Sequence, residues 1–349
     1  MKHVEVESRR IGPGYPCFII AEAGVNHNGD VRLARRLVDV AVEAGAGAVK
    51  FQTFNAERLV TPGAPKADYQ LQATGGSESQ FEMLRRLELS PEALRGLFGY
   101  CSQRGVLSMS TPFDEQSADL LEDLGVPVYK IPSGEITNLP FLTHVASKGK
   151  PMIVSTGMSY LDEVKTAMHA IEEVGNTNVV LLHCVSTYPA DPADVNLRAM
   201  HTMSTEFDVP VGYSDHTPGI EVALAAAVLG ACVIEKHITL DRGLPGPDHQ
   251  ASLEPDELAE LVRGVRIVEK ALGHGRKEPA PSELNIAAVA RKSLVAARDI
   301  PPGTVLAEDD VAIKRPGTGL PPVMRSHVVG RISKTDISAG TVLTWELLR

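Results

Sequence analysis

The fold class predicted by this sequence is α/β: a (β/α)8 barrel followed by a small β-rich module. Three observations predict it. Short apolar runs alternate with amphipathic helical stretches from about residue 17 to 272. The runs are continuous rather than alternating in polarity, as befits parallel strands buried on both faces. Near residue 275 the composition shifts and this rhythm stops. The strand candidates are 17–22, 48–52, 106–110, 128–131, 152–155, 179–185, 211–214 and 232–237. Helical patterns such as 31–43, 91–104, 115–124, 161–174 and 219–229 lie between them. Asp30 and Ser90 stand where N-caps belong, Ser90 with Pro91 at the first helical position. Gly45, Gly105, Gly125 and Gly230 follow helices, where a left-handed residue ends the last turn. A doubly wound sheet is the weaker alternative, because no GxGxxG string follows the first strand.

The expected domains are 1–272 for the barrel, 273–284 for a Gly/Pro-rich polar linker, and 285–349 for the module. In the module, 293–297, 304–306 and 341–344 look like short strands, two of them beginning after tight Gly-containing turns.

Bulk properties narrow the class. The chain has 349 residues, 43% of them hydrophobic, with a formal charge of −10. This acidity argues against non-specific nucleic-acid binding, although local lysines can still hold an anionic ligand. Cys17, Cys101, Cys184 and Cys232 are scattered with no CxxC spacing, which reads as reduced thiols rather than a disulfide frame or a zinc site. No leader-like apolar segment opens the chain, and no apolar run reaches the roughly 18 residues of a membrane span. A cytoplasmic protein is expected.

In a barrel the chemistry sits at the carboxyl ends of the strands. Every expected strand ends in a polar group: Glu22; Lys50 and Gln52; Ser110 and Thr111; Lys130, Ser133 and Glu135; Ser155; Ser186 and Tyr188; then Ser214-Asp215-His216 and Glu235-Lys236-His237. Two lysines among hydroxyls suit a phosphate or carboxylate. The alternative is that each lysine pairs a structural carboxylate such as Glu22 or Glu235. Histidines ending neighbouring strands can hold a divalent ion. With no thiolate or third imidazole, Mn²⁺ or Mg²⁺ suits them better than structural Zn²⁺. Such an ion polarises a carbonyl. Glu22, Glu135 and Asp248 can bond hydroxyls or handle protons. Together these features suggest carbon–carbon bond formation between an anionic enol donor and an aldehyde.

Several strings carry a family likeness. They are FIIAEAGVNHNG (18–29), VKFQT (49–53), STPF (110–113), YKIPSGE (129–135), STGM (155–158), GYSDHT (212–217) and EKH (235–237). In order and spacing the chain resembles the sialic acid (nonulosonic acid) synthase family. Residues 293–349, with KRPGTG at 314–319, resemble the antifreeze-like (SAF) domain that ends those synthases. The resemblance implies condensation of phosphoenolpyruvate with an open-chain N-acetylmannosamine-type sugar, giving a nine-carbon 2-keto acid and phosphate with C–O cleavage.

By position, the resemblance assigns Lys50, Thr111, Lys130, Ser133, Ser155, Ser186 and Ser214 to phosphoenolpyruvate. His216 and His237 become metal ligands, for Mn²⁺ first and Mg²⁺ or Co²⁺ as substitutes. Together with Glu22 and Glu135 they form the expected catalytic set. Gln52, Tyr188, Asp248 and Arg315 are expected at the sugar, Arg315 from the SAF domain of the other subunit in a swapped homodimer. Ser186 departs from relatives that carry Asn there. The string GPDHQASLE (246–254) is similar to the sialic and legionaminic branches. The acceptor is then N-acetylmannosamine or 2,4-diacetamido-2,4,6-trideoxymannose, with the loops 55–79 and 241–249 expected to read the C4 and C6 ends. Alternatives are a pseudaminic acid synthase, another phosphoenolpyruvate-dependent aldol-type synthase, and a silent sugar-binding barrel. The last would be marked by loss of Lys50, Lys130 or a histidine, and all are present.

Overall fold

The computed structural model describes residues 3–349. The chain divides into two compact units, residues 1–273 and 274–349. In the first, a hairpin of β1 (Val4–Val6) and β2 (Arg9–Ile11) precedes eight parallel strands. These are β3 (Phe18–Gly24), β4 (Ala48–Thr53), β5 (Leu107–Pro112), β6 (Tyr129–Ile131), β7 (Met152–Ser155), β8 (Val179–Cys184), β9 (Val211–Asp215) and β10 (Val233–His237). Ladders join them in the order β5-β4-β3-β10-β9-β8-β7-β6. β5 and β6 lie side by side across the remaining seam, so the sheet is a nearly closed barrel.

Helices alternate with the strands on the outside. They are α1 (Val31–Ala44), α2 (Ala56–Leu59), α3 (Asp68–Thr74), α4 (Gln80–Leu87), α5 (Pro91–Arg104), α6 (Glu115–Asp123), α7 (Leu139–Ser147), α8 (Leu161–Glu173), α9 (Ala199–Phe207), α10 (Glu221–Val228) and α11 (Pro255–Leu272). The expected caps are present: the Asp30 side chain accepts from Arg32 N–H and that of Ser90 from Ala93 N–H. Gly45 closes α1 at φ 81°, a conformation that other residues adopt only with strain.

Period-2 alternation sorts each strand into an outward and an inward set. Outward residues such as Ile19, Val49, Ile131, Val154, Leu181 and Ile234 pack with the helices in the main core. Inward residues change character along the strand. At the amino end they are apolar: Ile20, Ala48, Ile153 and Val233 form a second cluster with Val4, Val6 and Ile11 of the hairpin, which plugs that end. One or two inward positions later they become Glu22, Lys50, Ser155, Glu235 and His237, all buried. The barrel is therefore a packed core below and a polar chamber above.

A 54–90 insert separates β4 from α5 and holds α2, α3 and α4. The sequence predicts loop over 55–79, whereas the structure forms α2 and α3 there, helices too short to show a long apolar period. Val25, Phe54, Met83 and Leu87 bury a small cluster of their own there.

In the second unit, α12 (Leu284–Ala290) precedes β11 (Ser293–Ala296), which pairs antiparallel with β12 (Val311–Lys314); α13 spans Arg325–Val328. The strands expected at 304–306 and 341–344 form single bridges, Val305 to Ile332 and Val342 to Val295. Each follows a turn with glycine in the left-handed region, Gly303 at φ 81° or Gly340 at φ 85°. The chain bends away after one pair. Leu294, Ile300, Val311, Ile337 and Leu343 centre this unit's core. Among the described residues, no helix is long and apolar enough to cross a membrane. All four cysteines are free and buried.

Candidate functional site

The carboxyl ends of the barrel strands enclose a cavity of about 420 Å³. Of the residues singled out in the sequence, Glu22, Lys50, Gln52, Thr111, Lys130, Ser133, Ser155, Ser186, Tyr188, Ser214, His216, His237 and Asp248 all line it. Glu135 stands outside that lining, on the turn after β6, where its Oε2 accepts from Asn138 Nδ2 at 2.7 Å. Arg315 lies in the second unit, exposed just after β12.

A compact charge network forms one side of the cavity. Lys50 Nζ lies 2.6 Å from Glu22 Oε2 and 3.7 Å from Glu235 Oε1, and donates to Thr111 Oγ1 at 3.0 Å. Lys130 Nζ lies 3.3 Å from the same Glu235 oxygen and donates to Ser155 Oγ at 2.8 Å. Ser214 Oγ donates to Glu235 Oε1 at 3.2 Å. Both lysines thus pair a carboxylate, the alternative weighed from the sequence, while still facing the cavity. Glu235, expected only as a structural partner of a lysine, lines the cavity itself. Its signal was the strand period, which puts 235 and 237 on one face.

Burial drives the electrostatics. It pushes the Glu22 carboxyl up to about 7, with Lys50 opposing and Glu235 adding to the effect. For Lys50, burial works against the charge but Glu22 and Glu235 outweigh it and raise the ammonium. Burial lowers Lys130, with Glu235 opposing. Burial also pushes Asp248 up to about 6. With the two lysines set against Glu22 and Glu235, the network could accept an anion without leaving a large unpaired charge in its absence.

Beside the lysines lies a hydroxyl cradle. Gly157, just after β7, donates its N–H to Ser133 Oγ at 2.9 Å. A Cβ at Gly157 would collide with Ser186 Oγ and come within 2.8 Å of Ser133 Oγ. The loop therefore approaches the two serines as closely as only glycine permits.

Alongside stand the two imidazoles, with ring centroids 5.4 Å apart. His216 Nδ1 lies 2.7 Å from the Val185 carbonyl, which can only accept. That fixes the proton on Nδ1 and leaves Nε2 with its lone pair. His237 Nδ1 is buried with no hydrogen-bond partner, 3.9 Å from Asp248 Oδ2. Burial holds His237 well below its ordinary range, with His216 and Lys50 adding to the effect, so it is neutral. Among the described residues no group of three or more His, Cys, Asp or Glu is set to ligate an ion. Two unclaimed imidazole nitrogens fit a divalent cation that takes its remaining ligands from substrate oxygen and water. Cys184 Sγ lies 3.8 Å from His216, on the Nδ1 side. His27, His183 and His249 are absorbed by bonds to Gly29 N–H, the Val195 carbonyl and the Thr239 hydroxyl.

Behind the histidines the outward residues of the same triplets lock the strands. Lys236 and Asp215, both fully buried, pair at 2.7 Å across β9 and β10. Asp215 also accepts from the N–H and hydroxyl of Thr217. Above the histidines, the Tyr188 ring lies 4.0 Å from that of His216 and meets His237 edge-on at 5.5 Å. The remaining wall comes from the insert and is mostly apolar: Leu59, Val60, Met83, Leu84 and Leu87, joined by Phe113, with Tyr69, Gln70 and Gln80 as its polar members.

Residues 37–277 match the NeuB family and 291–349 the SAF domain. The chain is 51% identical to the N,N'-diacetyllegionaminic acid synthase of Legionella pneumophila, over 96% of this chain and 95% of that one. It is 41% identical to the human N-acetylneuraminate-9-phosphate synthase, over 97% and 95%. It also superposes with TM-score 0.72 on the crystal structure of an N-acetylneuraminic acid synthetase from Leptospira borgpetersenii in complex with citrate, at 36% identity over 82% of this chain and 95% of that one. With the family match covering most of the barrel and relatives of this identity along nearly its whole length, the chain belongs to the NeuB family and ends in a SAF domain.

Proposed function

We propose that this enzyme condenses phosphoenolpyruvate with 2,4-diacetamido-2,4,6-trideoxymannose, giving N,N'-diacetyllegionaminic acid and phosphate. One observation carries the reaction class: two lysines and a row of hydroxyls face two imidazoles with unclaimed nitrogens in a single cavity. In this assignment Lys50, Lys130 and Ser214 hold the donor, and the Gly157 loop with Ser133, Ser155, Ser186 and Thr111 cradles its anionic groups. A divalent ion, Mn²⁺ first among candidates, held by His216 and His237 supplies polarisation of the sugar aldehyde.

The enol C3 of the donor forms a bond to the aldehyde carbon, whose oxygen takes a proton and becomes a hydroxyl. Water adds to donor C2, and the C2–O bond to phosphate then breaks, leaving the 2-keto acid. Glu22, raised to about 7, is placed to give or take a proton near neutrality. Gln52, Tyr188 and Asp248 are assigned to the sugar, and Arg315 to its N-acetyl group from a second copy of the chain. The apolar stretch of the insert wall, Leu59, Val60, Met83, Leu84 and Leu87, supports the deoxy acceptor, since a methyl at C6 packed there suits it better than a hydroxyl that would lose its water. The 51% identity to the Legionella enzyme points the same way. A cytoplasmic setting follows from the soluble substrates.

The test is phosphate release from phosphoenolpyruvate by metal-stripped protein, with Mn²⁺ restored and each acceptor supplied in parallel. Release that needs metal and prefers the diacetamido sugar is expected. Preference for N-acetylmannosamine moves the enzyme to the sialic branch. No release with either, from folded protein that binds Mn²⁺, refutes the assignment.

A further inference from the structure

The insert between β4 and α5 touches the chemical end of the cavity at one aromatic contact. Tyr69, on α3, stacks on Tyr188 with ring centroids 5.0 Å apart and planes 28° from parallel. Tyr188 in turn covers His216. Three rings therefore run without a break from the insert to a candidate metal ligand. We propose that Tyr69 is a specificity-determining positioning residue: through Tyr188 it fixes the distance between the apolar wall that receives the far end of the acceptor and the imidazoles that receive its aldehyde. This rests on the acceptor assigned above.

The rest of the insert is built to hold Tyr69 still. Lys66, almost fully buried, donates to Thr74 Oγ1 at 2.8 Å and the Gly75 carbonyl at 3.1 Å, and pairs with Glu78 at 3.5 Å. Gln70 Oε1 accepts from the Ala67 N–H and from Gln80 Nε2. α3 is thus tied at both ends while Tyr69 Oη has only a long 3.4 Å contact with Gln70. The ring, not the hydroxyl, makes the connection.

Where an acceptor hydroxyl meets Leu59, Val60, Met83, Leu84 or Leu87, a wall fixed in place strips its water and offers no partner, so it disfavours that acceptor. A wall free to recede lets the hydroxyl stay wet and loses the discrimination. Offset aromatic pairs contribute about 0.5–1.5 kcal/mol, which is roughly a 2- to 12-fold effect.

The experiment compares kcat/KM for the diacetamido trideoxy sugar and for N-acetylmannosamine in wild type, Tyr69→Phe, Tyr69→Leu and Tyr69→Ala, with the KM for phosphoenolpyruvate and the Kd for Mn²⁺ alongside. Tyr69→Phe should keep the wild-type ratio. Tyr69→Leu and Tyr69→Ala should lower it by roughly 2- to 12-fold, with donor KM and Mn²⁺ binding unchanged as evidence of an intact barrel. An unchanged ratio in folded Leu and Ala variants overturns the proposal. So does a Phe variant as impaired as Ala, which would assign the effect to the hydroxyl. If wild type turns over neither sugar, the acceptor assignment itself has failed and this inference falls with it.

Discussion

Adding one methyl group at Gly157 tests the anion cradle without altering any charge. The Cβ of an alanine would land on Ser186 Oγ and within 2.8 Å of Ser133 Oγ. Gly157 does not have positive φ, so backbone strain does not confound the change. The loop has two ways to respond. It can shift away from the strands, an overpacking cost of about 1–3 kcal/mol. Or both serines can rotate out, so that each gives up a hydrogen bond to a bound anion.

Hydrogen bonds to charged groups contribute about 1.5–3 kcal/mol each. Losing the equivalent of one such bond weakens donor binding by about 1.5–3 kcal/mol, which at about 1.4 kcal/mol per decade is roughly 12- to 140-fold. Steady-state phosphate release with saturating acceptor reads this as a rise in KM for phosphoenolpyruvate. Thermal unfolding of the same protein shows whether the barrel survives. Acceptor KM and Mn²⁺ affinity should change less than the donor KM; Ser186 directly follows Val185, whose carbonyl holds His216, so Mn²⁺ affinity is read alongside to separate the cradle from a shift of that imidazole. A folded Gly157→Ala enzyme with wild-type donor KM would refute the cradle, as would an equal rise in both KM values.

Other changes test other parts. His237→Ala should leave a folded protein that binds Mn²⁺ poorly by equilibrium dialysis and releases little phosphate; retained activity with metal bound would remove this residue from the metal site. Arg315→Ala should raise the acceptor KM far more than the donor KM, and equal effects would detach Arg315 from the sugar. Lys236→Met strands the buried Asp215 carboxylate and should cost about 3–5 kcal/mol in urea unfolding. Replacing both partners, Lys236→Met with Asp215→Leu, should restore most of that stability; if the double variant is no better than the single, the pair is not the lock between β9 and β10.

The barrel was legible because its information is local. Apolar runs of strand length, caps such as Asp30 and Ser90, and polar residues at strand ends each act within a few neighbours, and the structure places these elements within about two residues of where the sequence put them. The residues of the cavity were legible for the same reason, since β-register carries strand ends to one rim. What stayed hidden was long-range or short-lived in sequence. Glu22 and Glu235 were visible as candidate partners, but that Lys50 meets both while Lys130 meets Glu235 alone depends on which side chains meet across the barrel interior. α2 and α3 span four and seven residues, too few for a helical period to emerge. Tyr69 therefore read as one aromatic residue in a loop, and only the fold brings it to Tyr188.

The two triplets that end β9 and β10 show how one strand period serves two purposes. Inward, Ser214 and His216 face Glu235 and His237, and this side is left under-satisfied: Glu235 Oε2 and His237 Nδ1 are buried without hydrogen-bond partners. Such orphans cost stability unless a ligand meets them. Outward, Asp215 and Lys236 meet with full hydrogen bonding. Because the register sets Lys236 opposite Asp215, the outward pair pins the two strands one position before each histidine. The imidazoles therefore hold their separation on their own, so an ion bound between them would not also have to order the strands. A rigid, satisfied face behind a strained, unsatisfied one is the arrangement a site needs if its binding energy is to go into the ligand rather than into folding the protein.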